Sequence, residues 1–108
     1  VHGGIGGTVS VLWCHAGSFR ASHWHRNDSH RLYVLEGEVR YYERAIGALE
    51  ADLEEVFTAG DMFDTPPQRE HLMLFDSPTI MVSMSSRSRT HVEHEADVVR
   101  VPRGSWDV

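Results

Sequence analysis

The stretch GSFRASHWHRNDSH, Gly17–His30, decides the reading of this chain, and it holds three of the eight histidines. On a strand, residues two apart share a face, so His23 and His25 point together and Trp24 points away. The polar run HRNDSH then turns the chain and carries His30 onto a neighbouring strand. Its alternation with Leu32 and Val34 puts His30 on the inward, apolar face. A buried imidazole without a partner costs free energy, so three gathered together need a reason. A transition metal supplies one. Imidazole suits Fe, Ni, Cu and Zn, and a same-face pair can fill adjacent coordination positions. A fourth candidate, His71, follows the Pro66-Pro67 turn and shares a face with Met73 and Phe75.

Outside this stretch the pattern is one of short strands. TVSVLWCH alternates Val9, Val11 and Trp13 against Ser10, Leu12 and Cys14, with period two. RLYVLEGEVRYYER reads as two strands around Glu36-Gly37, a short hairpin signal. MFDTPP is a strand stopped by its prolines, and HLMLFDSPTIMVSMS is two strands hinged at Asp76-Ser77-Pro78. Between residues 45 and 56, good helix formers place Leu49, Leu53 and Val56 at helical spacing. A loop running into a strand from Leu53 to Thr58 is the preferred reading there. Regular short strands punctuated by Gly and Pro indicate an all-β sandwich or barrel.

The totals narrow the function classes. The chain has 108 residues, 41% of them hydrophobic, enough for one domain with a modest core. Ten basic residues against sixteen acidic give a formal net charge of −6, which argues against a nucleic-acid partner. Arg87, Arg89, Arg100 and Arg103 read as a solvated charged face. No apolar run approaches the roughly 18 residues of a membrane span. The absence of an initiator Met at Val1 suggests residues trimmed or disordered ahead of it, and the glycines of GGIGG lack the context of a phosphate loop. Cys14 is the sole cysteine, so an intramolecular disulfide is excluded and a reducing, cytoplasmic location is expected.

The histidine stretch resembles the first motif of the cupins, G-x5-H-x-H-x4-E-x6-G, in Gly17, His23, His25, His30 and Gly37. The second cupin motif, G-x5-P-x-G-x2-H-x3-N, is met by Gly60, Pro66 and His71 at the same offsets. His30 stands where most cupins have Glu, Gln68 replaces a motif Gly, and Phe75 replaces the motif Asn. The resemblance implies a double-stranded β-helix, or jelly-roll barrel, formed by residues 1–108 as a single domain. Its core would run over about 8–86. Residues 87–108 would supply an added strand through Val98, Val99 and Val101. Either Ile80, Val82 and Met84 or Met81 and Ser83 would face the interior. A homodimer joined through sheet edges is expected.

The resemblance also implies one divalent metal per chain (Fe, Mn, Ni, Cu or Zn) held by His23, His25, His30 and His71. Four neutral imidazoles leave the ion its full +2 charge, which favours anionic or enolate-type ligands. Arg20, three residues before His23, is the candidate to orient a substrate anion through its planar fork. Pairing with Asp28 or Glu70 at the surface is its competing reading. Cys14 either fills the core or faces the site, and His91 and His94 read as a solvated tail. The function implied is that of a metal-dependent small-molecule enzyme, a dioxygenase or other oxidoreductase acting on a chelating small organic acid or diketone-like substrate. The alternatives are a sugar-nucleotide isomerase or epimerase with His71 or His25 as base, and a non-catalytic ligand- or metal-binding barrel.

Overall fold

The computed structural model describes residues 8–86 and 95–108. The glycines before Thr8, with Arg87, Arg89, His91 and His94, lie outside the described residues. Among the described residues nine strands follow in order: β1 (Thr8–Cys14), β2 (Phe19–His25), β3 (His30–Glu36), β4 (Glu38–Arg44), β5 (Leu53–Thr58), β6 (Met62–Thr65), β7 (Glu70–Leu74), β8 (Thr79–Ser85) and β9 (Val98–Arg100). They form two antiparallel sheets, one ordered β1-β8-β3-β6 and the other β5-β4-β7-β2-β9. Residues 45–52 are loop and the strand begins at Leu53. Among the described residues, no helix is long and apolar enough to cross a membrane.

The core lies between the sheets. Cys14, Leu32, Val34, Phe63 and Met81 meet Val39, Tyr41, Met73 and Phe75 there. On β8 the inward register is Thr79, Met81, Ser83 and Ser85, and Ile80, Val82 and Met84 face outward. Hydrophobicity alone would choose the reverse. Ser83 faces inward because its hydroxyl meets an imidazole, Nδ1 of His30, at 3.4 Å. Likewise Val9, Val11 and Trp13 point outward from β1, 53–69% exposed. The second sheet is covered on its outer face too. Tyr42, Leu72 and Leu74 pack under Trp106, and the Arg44 guanidinium lies 3.8 Å from the centre of that indole ring.

The expected hairpin at Glu36-Gly37 does not form. Both strands exist, but β3 pairs with β6 and β8, whereas β4 pairs with β5 and β7. Only Gly37 separates them, too short a connection to reverse the chain, so the chain turns a corner from one sheet into the other. Gly37 has φ +91°, and a Cβ there would lie 2.5 Å from Pro78 O and from Thr79 Oγ1.

The missing glycine of the second motif is explained by backbone geometry. Gln68 adopts φ +64°, the left-handed region that glycine enters without strain. Its own groups hold it there. The backbone N–H donates to His25 O at 2.8 Å, and Nε2 donates to Arg26 O at 2.7 Å. The β6–β7 loop is thereby tied to the end of β2, where the histidines stand.

Gly37→Ala is expected to destabilise the fold by about 3 kcal/mol or more, through overpacking added to backbone strain. Gly60→Ala is the reference: its φ is +95° but nothing lies within 4 Å of the new Cβ, so about 1 kcal/mol is expected. Urea unfolding of the two variants checks this, and equal losses would contradict it.

Candidate metal centre

Strand β2 brings Arg20, His23 and His25 to the interior by means of a bulge. Arg20 pairs with Met73 and Ala21 with Leu72, but His23 pairs with His71, so Ser22 is an extra residue. On a regular strand Arg20 and His23, three apart, would face opposite ways. The bulge resets the pleat and turns both inward. Ala21 and Ser22 hold φ of 71° and 59°, strain that persists only where surroundings enforce it. The C-terminal segment does so. Ser22 Oγ donates to Val101 O at 2.8 Å, Val101 N–H donates to Ser22 O at 2.9 Å, and Trp106 Nε1 donates to Ser22 Oγ at 3.2 Å. Strand β9 then pairs along β2 from His23 to His25.

Three imidazoles meet at this point. His23, His25 and His71 each offer a ring nitrogen, all within 4.8 Å of one another. Nε2 of His23 and Nε2 of His25 are 3.2 Å apart. The outer nitrogens of His25 and His71 are restrained: His25 Nδ1 lies 2.8 Å from Asp97 Oδ2, and His71 Nδ1 lies 3.4 Å from Arg69 O. A carboxylate and a carbonyl can only accept, so the protons sit on Nδ1 and the Nε2 lone pairs of His25 and His71 are left for the interior. Burial and the neighbouring His25 push His71 down to about 3. Burial likewise lowers His25, against the opposing pull of Asp97. Neutral rings with oriented lone pairs are what a divalent transition ion requires, so the donor set fits one.

His30 lies beside that trio. Its ring centre is 4.7 Å from that of His25, but Nε2 faces Asp28 Oδ2 at 3.0 Å. His25, Asp28 and His30 form a second group of possible ligands that shares His25 with the first. The expectation of an uncompensated +2 charge changes accordingly. Asp97 stands behind His25 and Asp28 beside His30, so two carboxylates lie one hydrogen bond from the imidazoles.

Arg20 pairs with neither expected surface acid. Asp28 is taken by His30 and Ser86, and Glu70 by Arg44. Arg20 Nε instead meets Cys14 Sγ at 3.2 Å, which also places the buried cysteine beside the site. Arg20, His23, His30, His71 and Thr65 line a cavity of about 70 Å³. A wider cleft of about 500 Å³ adjoins it at His30 and Thr65. Thr65 Oγ1 is buried there with no hydrogen-bond partner among the described residues. Of the distal basic cluster, Arg100 pairs with Glu95 and Arg103 with the Val108 carbonyl.

Sequence reading missed Asp97 and cast Asp28 as a surface residue. Asp28 lay inside HRNDSH and its polarity was visible. Nothing local marks Asp97, which is 72 residues from His25.

In metal-free protein the depressed histidines make stability pH-dependent. Above the ordinary value of 6.5 neither state takes up a proton at these rings. As pH falls from 6.5 towards 3 the unfolded chain protonates first, so stability is lost, by at most about 1.4 kcal/mol per pH unit for each ring. Urea titrations of EDTA-treated protein between pH 7 and 4 are expected to show this slope. His71→Gln should flatten it, and an unchanged slope in that variant would contradict the assignment.

No family model matches the sequence, and no curated protein matches it; solved structures do match. The capsular polysaccharide assembling protein CapF from Staphylococcus aureus superimposes with TM-score 0.76 at 19% identity, over 89% of this chain and 28% of that one. This chain therefore spans little more than a quarter of CapF. An uncharacterised conserved protein with a double-stranded β-helix domain from Klebsiella pneumoniae gives TM-score 0.65 at 25% identity, covering 80% of this chain and 67% of that one. The QdtA 3,4-ketoisomerase from Thermoanaerobacterium thermosaccharolyticum, in complex with TDP, gives 0.65 at 19% identity over 93% and 70%. Strand topology, the placement of the motif residues and these superpositions agree that the chain has the double-stranded β-helix fold of the cupin superfamily.

Proposed function

We propose that this chain is a metal-dependent enzyme acting on a small chelating organic acid or diketone-like molecule. The observation that carries the reading is the convergence of His23, His25 and His71 on one point beside a cavity that Arg20 also lines. Three protein ligands leave coordination places for a substrate. When bound, the ion acts as a Lewis acid on a substrate oxygen. The residues of the chain do the rest. Arg20 holds an anionic group, its planar fork suited to a carboxylate. Leu12, Leu32 and Met73 limit water around the reacting atoms. The cavity beside the histidines is small, about 70 Å³. It therefore takes the chelating head of a substrate, and the rest extends past His30 and Thr65 into the cleft.

Two reaction types suit such a centre. Oxidative cleavage by dioxygen uses the open coordination places. Non-oxidative isomerisation is supported by likeness of fold to the QdtA ketoisomerase and to a sugar phosphate isomerase from Silicibacter pomeroyi. In the second case His71 or His25 is the base candidate without metal, which three mutually facing imidazoles disfavour.

Elemental analysis of protein purified without added metal is expected to find about one transition-metal ion per chain, as one closed ligand set requires. His23→Ala and His25→Ala are expected to lose most of it. A metal-free wild type that still turns over substrate would overturn the proposal. Oxygen uptake against a panel of 1,3-diketones, keto acids and thiols then separates oxidative from non-oxidative chemistry.

A further inference from the structure

We propose that the outer face of the β1-β8-β3-β6 sheet is the surface through which two copies of this chain pair, sheet against sheet. It lies on the far side of that sheet from the core, so pairing and metal binding are separate properties.

The face is apolar by register. Val11 lies beside Val82, Val82 beside Tyr33 and Tyr33 beside Met62, so one outward row crosses all four strands without a charge. On one side of that row Trp13 lies beside Ile80, and Leu35 follows where β3 bulges between Val34 and Glu36. On the other side Val9 lies beside Met84. Charge stands only at the ends of the outer rows: Arg31 pairs with Asp64 at 2.8 Å, and Glu36 is next to Ile80. Ten large hydrophobic side chains are exposed among the described residues, and five of them are gathered here, 48–69% exposed. Single exposed apolar groups need no explanation, but a contiguous patch marks an interaction surface. The inward positions of β1 and β3 carry Leu12, Cys14, Leu32 and Val34, so both strands are apolar on both faces, as strands covered on both sides are.

The chain's own segments are poor covers. Trp106 is spent on the other sheet, over Tyr42, Leu72 and Leu74. Ahead of Thr8 stands VHGGIGG, with two apolar side chains, and residues 87–94, RSRTHVEH, carry one. A lipid surface is no better match. The chain has a formal charge of −6, and the guanidinium on this face is already held by Asp64, so nothing draws anionic headgroups.

A second copy meets each condition. Two acidic chains repel, so they approach where neither presents much charge. Four strands about 4.8 Å apart, with three outward rows about 6.6 Å apart, make a face of about 19 by 20 Å. Projecting side chains enlarge that plane, an aromatic one by up to about 200 Å², and Trp13 is 69% exposed. The result is on the scale of the roughly 800 Å² that each partner contributes to a standard interface. One patch serves both copies under twofold symmetry, the two sheets stacking as in a β-sandwich.

The test is sedimentation velocity of the full chain between about 1 and 100 μM. Wild type is expected to sediment as a dimer. Val11→Glu and Leu35→Glu place an unpaired charge in the interface and are each expected to raise the dimer dissociation constant at least about hundredfold. Leu49→Glu puts the same charge in the loop before β5, at a position 83% exposed, and is expected to leave the dimer intact. Because β3 is inside the sheet, a dimer joined through the β1 edge would survive Leu35→Glu. Near-ultraviolet circular dichroism is the folding control. Trp13→Ser, a milder change, is expected to weaken the dimer at least about tenfold with the fold unchanged. A monomeric wild type overturns the proposal, as does a dimer that Leu35→Glu leaves intact or that Leu49→Glu dissociates. Monomeric wild type that co-sediments with phosphatidylcholine vesicles gives the face to lipid instead.

Discussion

Imidazoles packed face and edge against one another between two sheets must be kept neutral, with the bare nitrogens of His25 and His71 turned inward. The structure satisfies this by tethering outer nitrogens. Asp97 accepts a hydrogen bond from Nδ1–H of His25 at 2.8 Å, and the Arg69 carbonyl faces Nδ1 of His71 at 3.4 Å. Without these acceptors, either tautomer of each ring would be available and proton would meet proton at the centre. Burial alone can keep a histidine neutral, but it cannot choose which nitrogen is bare.

That tethering explains the C-terminal segment. Val98–Arg100 extends the five-stranded sheet along β2, Asp97 restrains His25, Val101 and Trp106 lock Ser22, and Trp106 covers Leu72 and Leu74. One short segment therefore fixes both the bulge that turns His23 and His25 inward and the tautomer of the more buried of the two. Arg44 anchors the far end, donating to the Ser105 carbonyl at 2.9 Å and to its hydroxyl at 2.8 Å. Scaffold and site share the same hydrogen bonds, so they cannot be varied independently.

The departures from the family pattern have separate physical outcomes. Gln68 occupies a glycine position by accepting left-handed strain and offsetting it with two hydrogen bonds to the end of β2. His30 occupies a glutamate position, and the acid reappears two residues earlier as buried Asp28. The polar inward register of β8 follows, since Ser83 faces His30 and Ser86 donates to Asp28.

The sequence by itself determined what depends on spacing within one element. Alternation marked the strands and put His30 inward with Leu32 and Val34, and the offsets from Gly17 to His71 pointed to the barrel. The strand at Leu53–Thr58 was also legible, because helix formers in 45–52 are weak evidence beside a following β-rich run. Only the tertiary structure decided what depends on closure. Periodicity reports which way a side chain faces, not what stands opposite, so it could not show that β3 and β4 part into different sheets. It could not find the extra residue at Ser22, since a bulge is defined by the partner strand. Nor could it see that Asp97 would reach His25, or that Asp28 would pair with His30. Those contacts are made across a folded surface, and only folding brings their members within hydrogen-bond distance.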